Sequence, residues 1–257
     1  MEKKYLFFDI DGTLTDRSTG EIVPSAREAL TRLEENGHFV AIATGRAHYK
    51  ARKFTDANGF KNMVCCGGNG CVIDNELVEN IPLDKDGCIK IIHQAEELGY
   101  GWCVALDDTK DVYMTDDKFL RQVGKRKEPT RYIIDDMLEV EKADAIYKVY
   151  VAIPKEDEEK LTTKELVGHL RFEPEYLMFQ PDNKRGGIIK MMEHLNADIK
   201  DVVVFGDDYN DMDMFCPEWF SIAMGNACQD LKDMASYVTD TNINDGIKKA
   251  CEHFEWI

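Results

Sequence analysis

The sequence predicts an α/β fold with a doubly wound, Rossmann-like parallel-sheet core and an inserted α+β domain. Continuous apolar runs at 39–43 and 63–66 are typical of strands buried on both faces of a parallel sheet. A helical pattern separates each such run from the next, which indicates βαβ units. The same alternation returns near the end of the chain, after a middle block with a different pattern. The core is therefore predicted to combine segments from both ends of the sequence.

The core elements follow from apolar periodicity and from the residues that start and stop helices. The first helix, for example, has Pro24-Ser25 as its start signal and Gly37 as its stop signal. The predicted core strands lie at 6–8, 39–43, 63–66, 201–205, 220–223 and 237–239, and the predicted helices lie at 24–37, through 50–54, at 188–195 and at 245–253.

The middle block is predicted to be a separate domain because its rhythm of elements differs. After about Pro82 come a helix at 89–96 and strand-like segments at 102–106, 112–115, 145–153 and 176–179, with acidic stretches between them. We therefore expect residues 82–181 to form an α+β insertion, and residues 1–81 and 182–257 to form the core.

Composition excludes several classes of function. With 257 residues and a net charge of −17, the chain lacks the basic surface from which nucleic-acid recognition starts. No stretch approaches membrane-spanning length, and the first apolar run stops at Asp9, too short for a signal peptide. The eight cysteines include no CxxC pair, which argues against zinc and redox sites. We expect a soluble cytoplasmic protein with no nucleic-acid, membrane or obligate protein partner.

Polar residues gather where the predicted core strands end. All carboxyl ends of a parallel sheet lie along one edge, where ligands bind, so these residues should converge on one crevice. They are Asp9 and Asp11; Thr44, Gly45 and Arg46; Asn69; Asp207, Asp208, Asn210 and Asp211; and Asn226.

The aspartates of this set suit a hard cation. Asp9 and Asp11 alternate along an extended chain and so share a face, where their mutual repulsion favours a nearby positive charge. Carboxylate oxygens are preferred ligands of Mg²⁺, and Asp207 adds another. An ionised Asp9 could attack phosphorus, and Asp11 could carry a proton for the leaving oxygen.

These residues have two other interpretations. A calcium loop is excluded because Thr13 and Leu14 stand where that pattern needs Asp and Gly. Asp is also a common helix cap, so the segment 206–211 alone could equally be a helix start.

The phosphoryl group would need positive and donor groups, for which Thr44, Asn210 and Lys184 are available.

The motifs resemble those of the haloacid dehalogenase superfamily, in particular its Cof-like subfamily IIB phosphatases with an inserted α/β cap. The resemblance spans the chain: DIDGTLTD at 9–16, ATGR at 43–46, Lys184, and GDDYNDMDM at 206–214 match the four family motifs. Secondary matches are GGNG at 67–70, AMGNA at 223–227 and TNINDGI at 241–247.

The resemblance implies a role for each matching residue. Asp9 would be the nucleophile and Asp11 the general acid/base. Asp9, Asp207 and the main-chain carbonyl of Asp11 would bind Mg²⁺, with Asp211 supporting these ligands. Thr44, Gly45, Lys184 and Asn210 would hold the phosphoryl group, and Arg46 and Asn69 would contact the substrate. The third motif often continues Lys-Gly, whereas Arg185 follows Lys184 here. The helix register still favours Lys184, and Arg185 is the rival.

The predicted function is a Mg²⁺-dependent phosphatase that hydrolyses a small phosphorylated metabolite, with a sugar phosphate as the favoured class, through an aspartyl phosphate. A phosphomutase acting on sugar phosphates is the alternative, because it would use the same residues. A non-catalytic metabolite-binding protein is less favoured, because such a protein is expected to have lost the nucleophile or a metal ligand.

Overall fold

The computed structural model describes residues 2–126 and 130–257. Its strands are β1 (Tyr5–Phe8), β2 (Phe39–Ala43), β3 (Met63–Cys65), β4 (Gly70–Ile73), β5 (Glu76–Asn80), β6 (Trp102–Ala105), β7 (Asp111–Met114), β8 (Arg131–Ile134), β9 (Lys148–Val151), β10 (His169–Glu173), β11 (Tyr176–Phe179), β12 (Val202–Gly206), β13 (Phe220–Ala223) and β14 (Tyr237–Val238). Its α-helices are α1 (Pro24–Glu35), α2 (His48–Asn58), α3 (Lys85–Glu97), α4 (Lys118–Val123), α5 (Lys184–His194), α6 (Gln229–Met234) and α7 (Gly246–His253).

The chain divides into two compact units. The core unit contains the residues up to Arg46, Lys53–Glu79 and Asn183–Ile257, and the inserted unit contains Ala47–Arg52 and Asn80–Asp182. No helix in the described part of the chain is long and apolar enough to cross a membrane.

The core unit is built on an eight-stranded sheet in the order β14-β13-β12-β1-β2-β3-β4-β5. The pairs from β14 through β3 are parallel, and β4 pairs with β3 in the antiparallel sense. The side chain of Phe7 lies on one face, in a cluster with Met191 of α5 and Leu231 of α6. Helix α1 packs on β2 and α7. The predicted α/β class with a parallel, Rossmann-like core is confirmed.

Strand β1 lies at the centre of this sheet because its residues are apolar on both faces. Leu6, Phe7 and Phe8 are all fully buried, as expected for a strand covered on both sides. Tyr5 is paired with Phe39 on one side and with Val202 on the other, so the two halves of the core meet at β1.

The inserted unit is an α+β sandwich on a six-stranded sheet in the order β10-β11-β9-β6-β7-β8. Its central strands are antiparallel, and β7 and β8 are parallel. Ile91 of α3 packs with Val149 in one apolar cluster. Phe119 of α4 packs with Tyr150 in another cluster. Successive residues of β9 therefore point to opposite faces of the sheet, one into each cluster.

Several elements differ from the sequence prediction. Strands β4, β5, β8 and β10 and helices α4 and α6 were not predicted. All are short, and apart from β4 they carry polar residues without clear alternation. Helix α5 begins at Lys184, four residues before the predicted start at Ile188. The reason is local: the side chain of Asn183 accepts a hydrogen bond from the Gly186 N–H at 2.9 Å and caps the helix.

The turn after β3 fixes the start of α5. The main-chain N–H of Asn183 donates to the Gly67 carbonyl at 2.8 Å. Gly68 has φ +105°, and a Cβ at this position would overlap the carbonyl of Asn183. Only glycine meets both constraints, since a side chain would be strained by the backbone angle and would also push α5 away.

We expect Gly68→Ala to destabilise the protein by about 3 kcal/mol, which combines about 1 kcal/mol for the left-handed backbone with about 2 kcal/mol for the steric overlap. The matched control is Gly37→Ala, because Gly37 has φ +86° but no atom within 4 Å of its would-be Cβ. The free energy of unfolding, measured in urea, checks both variants. Equal losses would show that the contact with Asn183 contributes nothing.

Candidate active site

The carboxyl ends of β1 and β12 place two aspartates side by side. Phe8 is paired with Phe205, and the Asp9 N–H continues the ladder by donating to the Phe205 carbonyl at 3.1 Å. Asp9 follows β1 directly, and Asp207 follows β12 directly. Both side chains are buried. Sheet order therefore brings together residues that are far apart in sequence.

Lys184 is a buried cation between two buried carboxylates. Its Nζ donates to Asp9 Oδ1 at 2.8 Å and to Asp211 Oδ1 at 2.5 Å, and the Lys184 side chain is only 1% exposed. Burial opposes the charge on Lys184, but attraction to Asp211 and Asp9 outweighs it and raises the lysine pKa. Lys184 therefore stays charged.

Asp211 connects this ion group to the main chain. Its second oxygen accepts the Asp207 N–H at 2.9 Å and the Asp208 N–H at 3.2 Å, at the start of the 3₁₀ helix Tyr209–Met214. Gly206 has to be glycine here, because a Cβ would collide with the Asp211 carboxyl group. Asp211 thus holds both Lys184 and the loop that carries Asp207.

Asp207 is held by neighbours from the first loop and from the loop after β13. Thr13 donates from its hydroxyl to Asp207 Oδ1 at 2.9 Å. The Asn226 amide donates to the Gly12 carbonyl at 2.9 Å and to Asp207 Oδ2 at 3.4 Å. The Asn226 carbonyl oxygen in turn accepts the Asn242 N–H at 2.9 Å. Residues from the secondary matches therefore position Asp207.

Crowding of carboxylates perturbs their titration. Burial, followed by repulsion from Asp211, raises the pKa of Asp9 to about 7, although Lys184 acts in the opposite direction. Burial and Asp211 likewise raise the pKa of Asp207 to about 6, although Arg17 lowers it. The raised pKa values mean that the ionised forms of Asp9 and Asp207 are unfavourable here. A further cation would stabilise those ionised forms.

These aspartates fit a magnesium ion. Carboxylate oxygens of Asp9, Asp207 and Asp211 lie within 4.8 Å of one another. All are hard oxygen donors. Gly12, with φ +99°, lets the first loop approach Asp207 closely, because a Cβ there would run into the Asp207 carboxyl group and the Arg17 guanidinium. The donor set is consistent with the predicted metal, whereas a zinc site would call for His or Cys ligands.

The side chain of Asp11 lies away from this cluster. It is 64% exposed and accepts two hydrogen bonds from Arg46 Nη2, at 2.7 and 2.8 Å. The Arg46 guanidinium also lies over the ring of Phe54, 5.6 Å from its centroid. Arg46, which was predicted to contact the substrate, thus pairs with Asp11, the predicted general acid/base. The Asp11 main-chain carbonyl accepts a long hydrogen bond from Arg17, at 3.3 Å.

The remaining predicted site residues lie at the end of β2, in the 3₁₀ helix Tyr209–Met214 and after the turn that follows β3. Thr44 is buried at the end of β2, and its hydroxyl accepts the Arg46 N–H at 3.2 Å, across Gly45. Asn210 is half-buried in the 3₁₀ helix that carries Asp211. Asn69 follows a short turn, where its N–H donates to the Cys66 carbonyl at 3.4 Å. These residues lie at strand ends or in the loops that follow, as the sequence predicted.

Arg185 points elsewhere than Lys184. Its N–H donates to Asp213 Oδ2 at 2.9 Å and its guanidinium pairs with Glu218. Sequence reasoning missed Arg17, which binds Asp207, and the cap residue Asn183. An Asx residue directly before Lys184 was an available helix-start signal, whereas Arg17 belongs to a loop with no pattern.

A model of the haloacid dehalogenase-like hydrolase family matches residues 6–251. The chain belongs to this family. It is 30% identical to the protein YkrA of Bacillus subtilis (strain 168), over 97% of each chain. It is 28% identical to the pyridoxal phosphate phosphatase YbhA of Escherichia coli (strain K12), over 96% of this chain and 97% of that protein.

The fold comparison agrees. The solved structure of BT4131, a subclass IIB sugar phosphatase, is 25% identical, with a TM-score of 0.78, and the match covers 99% of this chain and all of that one. The predicted membership of the haloacid dehalogenase superfamily and its Cof-like branch is confirmed, as is the enzyme class. The chain is a phosphatase of the haloacid dehalogenase type.

We expect Lys184→Met to lower kcat/KM by about 10²- to 10³-fold, because a buried cation within 3 Å of Asp9 is lost where charge must be stabilised. Arg185→Met is the matched control and should stay within about threefold of wild type, since its side chain pairs with Glu218 instead. Steady-state kinetics with an aryl phosphate measure both, and circular dichroism verifies folding. The opposite ranking would assign the phosphate-binding role to Arg185.

Proposed function

We propose that this phosphatase is Mg²⁺-dependent and hydrolyses a small phosphorylated metabolite, with sugar phosphates as the substrate class, through an aspartyl phosphate on Asp9. The observation that carries the proposal is the buried Lys184 between Asp9 and Asp211. Burying a charged lysine costs desolvation free energy. Such a residue is expected where a charged nucleophile has to be oriented and an anion bound.

The first chemical step uses Asp9. One of its oxygens bonds to phosphorus while the bond from phosphorus to the ester oxygen breaks, and the electron pair leaves with that oxygen. Asp11 supplies the proton for the leaving oxygen. In the second step water attacks phosphorus, returns a proton to Asp11 and releases inorganic phosphate and the free Asp9 carboxylate.

Lys184 has two tasks in this scheme. By donating to Asp9 Oδ1 it fixes the rotation of the carboxyl group, which leaves the other oxygen to attack. Its positive charge also faces the arriving phosphoryl group. Thr44, the Gly45 N–H and Asn210 complete the phosphoryl-binding set that the family resemblance implies.

Arg46 orients Asp11 from outside the ion group. One guanidinium nitrogen of Arg46 donates to both oxygens of Asp11 and restrains the rotation of that carboxyl group. Proton transfer to the leaving oxygen needs that carboxyl group at hydrogen-bond distance from the substrate. In this proposal Arg46 therefore positions the acid/base and contacts the substrate from the same side.

The metal requirement rests on the acidic group described above. When bound, Mg²⁺ would neutralise phosphoryl charge beside Asp9; Asp9, Asp207 and the Asp11 carbonyl would hold it, with Asp211 supporting them. An anionic substrate would otherwise approach several carboxylates that, among the residues the structure describes, are offset by Lys184, Arg46 and Arg17.

Substrate choice is assigned to the insertion. We propose residues 82–181 as the cap domain and residues 1–81 and 182–257 as the catalytic core; the separate compactness of the inserted unit supports this. The strand-end residues of the core are accounted for by phosphate and metal, which leaves few to recognise a leaving group. The sugar phosphatase activity named for BT4131 favours sugar phosphates.

Asp9→Asn tests the covalent mechanism. It removes the nucleophile at constant size, so phosphate release from an aryl phosphate with Mg²⁺ should fall at least about 10³-fold. Asp198→Asn, which changes a surface carboxyl group of the core, should leave turnover unchanged. Wild-type enzyme should be inactive in excess EDTA. Near wild-type turnover by Asp9→Asn would rule out the aspartyl phosphate, and phosphoryl exchange without phosphate release would indicate a mutase.

A panel of phosphorylated sugars, nucleotides and cofactor phosphates tests the substrate class. We expect several sugar phosphates to be hydrolysed, with one or two preferred. Exchanging residues 82–181 for the corresponding segment of a relative should move that preference while aryl phosphate turnover persists, because wrong leaving groups are rejected by unpaired polar contacts. A preference that stayed with the core would refute the assignment to the insertion.

A further inference from the structure

Arg17 is a charged residue in contact with Asp207 that has no step in the proposed mechanism. It lies in the loop that follows β1, and its Nη2 donates to three oxygens: Asp207 Oδ2 at 2.7 Å, Asp208 Oδ2 at 3.0 Å and the Asp11 carbonyl at 3.3 Å. Asp207 and the Asp11 carbonyl are also the groups assigned above to Mg²⁺. A guanidinium cation and a metal ion would therefore stand at the same groups, where their positive charges repel.

The loop that carries Arg17 has a fixed backbone. The Gly20 N–H donates to the Asp16 carbonyl at 2.7 Å, and the Asp16 N–H donates to the Glu21 carbonyl at 3.0 Å. The Asp16 side chain accepts the Ser18 N–H at 2.8 Å. The Arg17 side chain itself is 58% exposed. The guanidinium can therefore leave the aspartates by side-chain rotation, without refolding of the loop.

The other cations nearby are already engaged. Five carboxyl groups lie in this region, and each of the three cations serves a different part of it: Lys184 binds Asp9 and Asp211, Arg46 binds Asp11, and Arg17 binds Asp207 and Asp208. Asp207 is 2% exposed, so its charge depends strongly on a partner at contact distance.

We propose that Arg17 is a built-in competitor of the metal ion: its guanidinium neutralises Asp207 when no metal is bound and must be displaced before a divalent cation binds. This inference rests on the proposed Mg²⁺ dependence. A guanidinium 2.7 Å from Asp207 Oδ2 and a divalent cation bound to the same carboxylate would repel each other at contact distance. The apparent affinity for metal is therefore lower than the intrinsic one, by the fraction of molecules whose aspartates are free of Arg17.

The test measures binding of the metal alone. Titration of metal-free protein with Mn²⁺ followed by electron paramagnetic resonance, and with Mg²⁺ by calorimetry, gives the dissociation constant without substrate. Arg17→Gln should lower it about 3- to 10-fold, as expected for a partly exposed ion pair. Arg32→Gln removes a partly exposed arginine that pairs with Glu252, and should leave the constant unchanged.

A second variant separates contact from long-range repulsion. Arg17→Gln combined with Ser18→Arg restores the net charge one residue further along the same loop, at an exposed position. Competition by contact predicts that metal binding stays tight in this double variant. A return to the wild-type dissociation constant would overturn the proposal, because loop charge alone would then account for the change.

The outcomes for the two proposals differ. If wild-type protein binds one metal ion and Arg17→Gln binds it with the same affinity, the role of Arg17 is wrong and the metal requirement stands. If neither protein binds metal, the metal-dependent function falls and the role of Arg17 falls with it. Melting temperatures without metal accompany each variant, and Arg17→Gln should melt below wild type.

Discussion

The charge of Lys184 is the constraint on which the candidate site depends. Without it, Asp9 and Asp211 would be two carboxyl groups sharing a buried space with no cation between them to offset their repulsion. Burying three charged groups costs several kcal/mol for each, and their close mutual contacts offset this only with good geometry. The cap at Asn183, the Gly67 carbonyl and the Gly68 turn supply that geometry by fixing where α5 begins. A turn after β3 thus determines the electrostatics at the end of β1.

The positions of the basic residues also matter because the chain as a whole is acidic. A chain with net charge −17 repels anionic phosphate esters at long range. Salt screens that repulsion beyond about 8 Å, so the groups within the crevice decide binding. Lys184, Arg46 and Arg17 are concentrated there against the aspartates. The five carboxyl groups exceed these three cations by two charges, and a divalent cation would offset that excess.

The sequence predicted the parts of the site that follow from strand ends. Asp9 and Asp207 could be placed together because parallel strands share an edge, and the fold class followed from apolar runs. Side-chain direction could not be predicted: nothing in the sequence indicated that Arg46 would bind Asp11, or that Arg185 would turn to Glu218. Arg17 was missed because an exposed loop residue has no periodicity to reveal its partners. Short polar strands such as β5 and β8 escaped for a similar reason, since tertiary pairing stabilises them more than their own composition does.

The central position of β1 has a consequence for folding. One of its neighbours, β2, follows closely in sequence, but the other, β12, is made only after the whole insertion has been synthesised. Lys184 and Asp9 are 175 positions apart, so this ion pair joins residues that are far apart in sequence. Such contacts form late and slow the search for the native state. A nascent chain at the midpoint of translation therefore carries β1 with one unpaired, strongly apolar edge. Protection of that edge on the ribosome, by chaperones or by the chain itself, becomes a requirement of this topology.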